Sequence, residues 1–67
     1  MKNSYVIFKL KGSTCFYTFL NGNKLVTRFE KHSKLKEVPG KVVQADSESF
    51  GQFQVRIKVI AKGLLNE

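Results

Sequence analysis

The segment from Phe16 to Phe29 constrains the fold more than any other part of the chain, because its centre and its flanks predict the same structure. At its centre, Asn21-Gly22-Asn23 are residues that accept the positive φ angles of a tight hairpin turn. Both flanks are rich in β-branched and aromatic residues, which favour strands. The segment therefore predicts a β-hairpin.

Side chains alternate between the two faces of a strand, so the hairpin has two distinct surfaces. One surface is mirrored across the turn, and we expect it to face the core; its residues are Phe16, Thr18, Leu20, Leu25, Thr27 and Phe29. The other carries Tyr17, Phe19, Val26 and Arg28, an aromatic and basic mixture that suits a binding surface. The alternative is that Tyr17 and Phe19 pack in a core or in a dimer interface.

An earlier strand is predicted from Tyr5 to Lys11, where even-numbered apolar residues alternate with Tyr5, Ile7, Lys9 and Lys11. A three-residue turn at 12–14 would gather Lys9 and Lys11 beside Tyr17 on one face. A two- or four-residue turn would invert this arrangement, because a shift of one residue exchanges the faces. We favour the three-residue turn because it collects the lysines on one side.

The second half of the chain predicts a loop and two further strands. Residues 30–40 show no period and end at Pro39-Gly40, which indicates a basic loop closed by a turn. A short strand follows at 41–45, and a polar turn at 46–51. Residues 53–60 alternate between an apolar inner set and an outer set that includes Arg56 and Lys58, which predicts a last strand before a tail at 62–67.

Five short antiparallel strands within 67 residues predict an all-β fold. A small closed barrel of the OB, SH3 or Sm kind is favoured, because an open sheet of this size leaves its edges unprotected. A sandwich needs about seven strands. We therefore expect residues 1–67 to form one small β-barrel domain.

The charge balance favours a polyanionic partner. The net charge is +7 and the isoelectric point is near 9.9, values typical of proteins that bind nucleic acid. A basic surface that serves only solubility is the simpler alternative. Catalysis is not expected: His32 is solitary, the acidic residues lie in predicted loops, strand ends or the tail, and no ligand spacing for a metal is present. We expect no catalytic residue, no metal and no cofactor.

The compartment is indicated by the single cysteine and by the short apolar runs. Cys15 has no partner for an intramolecular disulfide, which fits a reducing cytosol. The apolar run near the start is too short for a signal peptide, and no run approaches the roughly 18 residues of a membrane span. We expect a cytoplasmic protein without membrane contact, in the host cytoplasm if the chain is viral.

Binding of a single strand requires cations for the phosphates and aromatic rings for the bases. On the favoured register, Tyr5 and Tyr17 are the candidate stacking residues. The candidate phosphate contacts are Lys9, Lys11, Arg28, Lys31, Lys34, Lys36, Arg56 and Lys58. The sequence therefore predicts a basic and aromatic sheet face that binds single-stranded nucleic acid with little sequence specificity, with DNA favoured over RNA.

The C-terminal third adds a resemblance to a known family. Val38-Pro-Gly40, Ser47-Glu-Ser-Phe50 and Gly51-Gln-Phe53, followed by an alternating basic strand that ends at Ala61-Lys62, resemble the end of the helix-destabilising, single-stranded-DNA-binding proteins of filamentous phages. That family has a five-stranded OB-like barrel, forms a two-fold dimer and uses no cofactor. The resemblance implies a homodimer and a single-stranded DNA partner, but it carries over no individual binding residue.

Two other functions remain open from the sequence. The main alternative is a protein-binding module, for instance a small phage or plasmid factor that docks on an acidic host protein through an exposed strand edge. Loop charges would then steer association, and the anchors would be Phe19, Ile60, Leu64 and Leu65. The other is a basic protein that associates with ribosomes or duplexes.

Overall fold

Two glycine turns set the register of the sheet. In the computed structural model, which describes residues 3–64, Gly12 and Gly22 have φ angles of 63° and 65°. Each occupies the first position of a two-residue loop, as type II′ hairpin turns require. The strands are β1 (Tyr5–Lys11), β2 (Thr14–Asn21), β3 (Lys24–Glu30) and β4 (Lys41–Val43).

These strands form one antiparallel sheet in the order β3-β2-β1-β4. The predicted hairpin is confirmed as β2 and β3, with Phe16 opposite Phe29 and Leu20 opposite Leu25. β4 crosses to the far side and pairs with β1. The fold is mostly β, as expected, but the predictions of five strands and of a closed barrel are wrong, because the described chain has an open four-stranded sheet followed by a helix.

The helix α1 (Phe50–Lys62) replaces the predicted fifth strand. Its first turn is fixed by a capping box, in which the Ser49 hydroxyl accepts from the Gln52 amide at 3.1 Å and the Gln52 side chain accepts from the Ser49 amide at 3.0 Å. Phe53, Ile57 and Ala61, spaced four residues apart, are its buried residues. The alternation at 53–60 suggested a strand with one apolar face. In the helix, only the face that carries the buried residues packs on the sheet, and Val55 is 65% exposed.

The core lies between α1 and one face of the sheet. Phe19 in β2 is its centre, with edge-on ring contacts to Phe53 at 5.7 Å and to Phe50 at 5.8 Å. Complete burial of a side chain such as Phe53 contributes about 1.5–3 kcal/mol to folding. The buried apolar set is Val6, Phe8, Cys15, Tyr17, Phe19, Phe53, Ile57 and Ala61.

The predicted assignment of the hairpin faces is therefore inverted. The turn between β1 and β2 has two residues, not three, so Phe8 lies opposite Tyr17 and Lys9 lies opposite Phe16. The odd residues of β2 consequently join the even residues of β1 beneath α1. The mirrored set that includes Phe16 and Phe29 faces away from the helix, so the prediction that it forms the core is wrong.

The basic loop predicted at 30–40 is confirmed as irregular from residue 31 to residue 40, while Glu30 ends β3; the loop is bonded to the end of α1. The Ser33 hydroxyl donates to the Ala61 carbonyl at 2.7 Å, and the Lys34 amide donates to the Lys62 carbonyl at 3.1 Å. Gly63 caps the helix with a φ of 80°, and a Cβ at this position would lie 2.9 Å from the Leu35 nitrogen. A residue with a side chain is therefore disfavoured at Gly63 by both conformation and space.

Part of the predicted tail, residues 65–67, and with it the predicted anchor Leu65, lies outside the described residues. Within residues 3–64, α1 is the only helix, and it falls short of the length and apolarity that crossing a bilayer would require.

Replacing Gly63 by alanine tests the cap. We expect Gly63→Ala to lower the free energy of unfolding by about 2 kcal/mol or more, because a left-handed conformation costs a residue with a Cβ about 1–2 kcal/mol and the loop backbone must also move. Thermal unfolding followed by circular dichroism should show a decrease in Tm of about 10 °C.

Gly51→Ala is the matched control, because Gly51 lies in the first turn of α1 and its nearest neighbour to a new Cβ is the Ser49 hydroxyl at 3.9 Å. It should raise the free energy of unfolding by about 0.5–1 kcal/mol. Equal effects of the two substitutions would contradict the cap geometry.

Candidate functional site

The sheet face turned away from α1 is the candidate site, and we call it the open face. No element within residues 3–64 packs against it, because α1 lies on the opposite side. The strand register assigns its residues, which are Tyr5, Ile7, Lys9, Lys11, Thr14, Phe16, Thr18, Leu20, Leu25, Thr27, Phe29, Lys41 and Val43.

One end of the open face carries an aromatic pair flanked by lysines. The rings of Phe16 and Phe29 lie 5.9 Å apart at an angle of 39°, and Phe29 is 52% exposed. Lys9 is the cross-strand neighbour of Phe16 in β1. The Lys31 amine lies 5.9 Å from the centre of the Phe29 ring. One exposed ring and one half-buried ring therefore lie between two cations.

A second aromatic and cationic pair lies at the other end of the open face. The Lys41 amine is 4.4 Å from the centre of the half-buried Tyr5 ring, a distance within the range of a cation–π contact. Tyr5 is four residues from Lys9 along β1, which separates the two ends by about 13 Å along the strand direction. The open face is long enough to present its two aromatic groups to different bases of one strand.

The charged strand residues of the open face all have the same sign. Lys9, Lys11 and Lys41 project from it, and none of the strand residues that the structure assigns to this face is acidic. The carboxylates of Glu30 and Glu48 are engaged elsewhere, with the Tyr17 hydroxyl and with Arg56. Lys9 and Lys11 therefore have no acidic neighbour among the strand residues of this face, whereas at the other end Asp46 lines a pocket together with Tyr5, Lys41 and Val43.

Apolar side chains fill the surface between the cations. Leu25 is 68% exposed, and Ile7 and Val43 are about half exposed. The Thr18 and Thr27 hydroxyls are hydrogen-bonded to each other at 2.9 Å in the middle of the face. An exposed apolar surface rimmed by polar groups marks an interaction site more often than a chance exposure.

The structure brings together some of the predicted binding residues. Tyr5, Lys9 and Lys11 share the open face as expected, and Lys31 borders it at Phe29. Lys34 and Lys36 are exposed in the 31–40 loop.

Tyr17 is the clearest correction to the predicted site. It is 2% exposed beneath α1, and its hydroxyl donates to the Glu30 carboxylate at 2.8 Å. Burial, followed by this hydrogen bond, raises the pKa of Tyr17 above its ordinary value. Tyr17 is a core residue, so the prediction that it stacks on bases is wrong.

The predicted arginines also lie away from the open face. Arg56 projects from α1 and binds the Glu48 carboxylate through two contacts of 2.8 Å, which lower the pKa of Glu48. Arg28 lies on the helix side of β3, where it lines a groove between β3 and α1 together with Lys58. The predicted placement of Arg28 on one sheet face with Lys9 is therefore wrong. The predicted last strand, whose outer face was to carry Arg56 and Lys58, is a helix.

Sequence reasoning missed Phe16 and Phe29 as candidate binding residues, because it placed both in the core. The signal was present in Gly12, because a glycine followed by one polar residue is typical of the two-residue II′ turn. Adopting that turn would have placed Phe16 beside Lys9 from the sequence alone.

The described residues contain no group of three His, Cys, Asp or Glu side chains close enough to hold a metal ion. The Cys15 thiol is buried against the core, and burial raises its pKa. Comparison with protein-family models, with curated proteins and with solved structures finds no match for this chain. The resemblance to the filamentous-phage proteins stays a prediction, and the stretch on which it depends includes a helix where a strand was expected.

Removing the Tyr17 hydroxyl tests its structural role. Folding raises the pKa of Tyr17 above its ordinary value of 10, so its contribution to stability is complete below pH 10 and declines as the pH rises above that value. We expect Tyr17→Phe to lower the free energy of unfolding by about 1 kcal/mol at pH 7. Urea unfolding at pH 7, 10 and 11 should show a smaller alkaline loss for the variant than for the wild type.

Tyr5→Phe is the control, because its ring lies on the open face outside the core. If Tyr5→Phe flattened the alkaline profile and Tyr17→Phe did not, the assignment of the buried hydroxyl would be contradicted.

Proposed function

We propose that the open face binds single-stranded nucleic acid with little sequence preference. The observation that carries the proposal is the combination, on one bare sheet, of exposed and half-buried aromatic rings with lysines and without a carboxylate among its strand residues. A duplex reader would place a helix in the major groove, whereas α1 lies behind the sheet and is held there by its apolar face.

Stacking supports the proposal. A base that stacks on an aromatic side chain gains about 1–3 kcal/mol, whatever its identity. Phe29 and Phe16 offer one such position and Tyr5 offers a second. Four-stranded sheets that bind RNA use aromatic side chains on the open surface in the same way.

The second support for the proposal is the placement of lysines that could bind phosphates. Lys9 and Lys11 follow β1 along the open face, and Lys41 and Lys31 lie at opposite ends of the aromatic set. A strand whose bases stack on the rings would place its phosphates within reach of these flexible amines. Binding would then weaken as the salt concentration rises, because each neutralised phosphate releases counterions.

A paired substitution of lysines tests the electrostatic part. We expect Lys9→Gln with Lys11→Gln to weaken binding of fluorescent dT and rU oligonucleotides and to reduce the slope of log K against log salt by about 1.4, or about 0.7 for each lysine. Fluorescence anisotropy at several salt concentrations measures both quantities.

The control is Lys58→Gln with Lys62→Gln, which changes the net charge equally but alters α1. Equal losses from the two pairs would mean that general charge, and not the open face, determines binding.

Replacing aromatic rings by leucine tests stacking while it keeps apolar bulk. Phe16→Leu or Tyr5→Leu should weaken oligonucleotide binding about 5- to 150-fold, which corresponds to 1–3 kcal/mol for each lost stack. The salt slope should stay the same, since no cation is removed. Unchanged affinity in both variants, with the fold verified by circular dichroism, would eliminate base stacking on this face.

A protein partner is the second candidate, and the exposure of Ile7, Leu25 and Val43 favours it. A partner with an apolar patch and an acidic rim would cover both the apolar residues and the lysines. Such a surface predicts no measurable affinity of the pure protein for dT or rU at low salt. Absence of oligonucleotide binding by the folded wild type would therefore favour this candidate over the first.

A further inference from the structure

The two edges of the sheet are protected unequally. β4 is three residues long, it follows Pro39, and its Val43 carbonyl accepts from Arg56 at 3.3 Å. β3 is seven residues long, and its residues are exposed except for Glu30, which is half-buried. Short strands, prolines and covering side chains discourage edge pairing. Within the described chain, β3 is therefore the edge open to another strand.

The hairpin turn determines which backbone groups of β3 are free. Asn21 and Lys24 flank the two-residue turn and form its hydrogen-bonded pair. Hydrogen-bonded and non-hydrogen-bonded pairs then alternate along the ladder, so the amides and carbonyls of Leu25, Thr27 and Phe29 point away from β2. No backbone hydrogen bond outside the strand ladders involves these residues within the described chain.

The β3 sequence is self-complementary about Thr27. In an antiparallel pair centred there, Lys24 lies opposite Glu30 of a second copy, and Leu25 lies opposite its Phe29. A two-fold axis repeats both pairs, so the arrangement contains two opposite-charge pairs and two apolar pairs. Opposite charges and aromatic–aliphatic neighbours stabilise cross-strand pairs.

The adjacent registers lack this complementarity. A pair centred on Val26 places Lys24 opposite Arg28 of the second copy, and a pair centred on Arg28 places the two arginines opposite each other. Like charges directly opposite are destabilising.

We propose that two copies of this chain pair antiparallel along β3, about a two-fold axis at Thr27. The partner's β3 would accept and donate the free hydrogen bonds of Leu25, Thr27 and Phe29. Opposed residues project from the same side of a sheet, so the two open faces become one surface of eight strands. The proposal does not depend on nucleic-acid binding.

A proline at the centre of the interface tests the pairing. Thr27→Pro removes an amide that points away from β2, so the β2–β3 ladder keeps its hydrogen bonds, and edge strands accept proline at such positions. Sedimentation velocity without nucleic acid, from about 5 μM to about 1 mM, should show a dimer for the wild type and a monomer for Thr27→Pro. Thr27→Val also loses the hydroxyl but keeps the amide, and it should remain dimeric.

Charge reversal gives a test that avoids any backbone change. Lys24→Glu places two carboxylates opposite each other at both ends of the interface, and we expect the dimer dissociation constant to rise about tenfold. Lys36→Glu changes the net charge equally but lies in the 31–40 loop, so it should leave the dissociation constant unchanged. This comparison tests the proposed β3 pairing even if Thr27→Pro fails to fold.

Amide exchange supplies a readout specific to the register. The amides of Leu25, Thr27 and Phe29 should become protected as the concentration rises, whereas those of Val26 and Arg28 should be protected at all concentrations. A wild type that stays monomeric at about 1 mM, or a dimer unaffected by both Thr27→Pro and Lys24→Glu, would overturn the proposal. Neither result would bear on the proposed single-strand binding, because the oligonucleotide experiments test it with variants of the open face.

Discussion

The packing of α1 on one face of the sheet determines which surface of the protein is available. Phe53 lies in edge-on contact with Phe19, and Ile57 and Ala61 continue the buried stripe along the helix. The helix is held at its start by the Ser49 capping box and at its end by the fit between Gly63 and the 34–35 backbone. These contacts give a chain of this size one closed core on one side of four strands.

The other side of the sheet is left without a cover. In a small domain, uncovered Leu25 and Phe29 lower solubility without adding to the core, so their presence is better explained by a partner than by folding. The lysines among them would suit the negatively charged partner that we propose. Both candidate partners, a nucleic-acid strand and an acidic protein, satisfy this requirement, and the salt and stacking experiments separate them.

The sequence predicted the local elements better than their assembly. The β2–β3 hairpin and the first strand followed from turn residues and alternation, and the basic loop followed from the absence of a period. The error over α1 arose because Val55, Ile57 and Val59 satisfy a strand pattern as well as a helical one, although Ser49 and Gln52 already indicated a capping box. The error over the faces had two sources: the mirrored set that includes Phe16 was taken as the core, and the turn at Gly12 was given three residues, whereas it has two. Tyr17 is therefore inside and Phe16 outside.

The unequal edges of the sheet also limit how far association can proceed. A filament needs two different complementary ends on each subunit, whereas a self-complementary patch is fully used once a single pair has formed. The short β4, with Pro39 before it and Arg56 on its last carbonyl, gives a growing array no second attachment point. In the proposed dimer, edge pairing along β3 would end at two chains and would not continue into an aggregate, so an exposed β3 would be compatible with high concentrations of this protein.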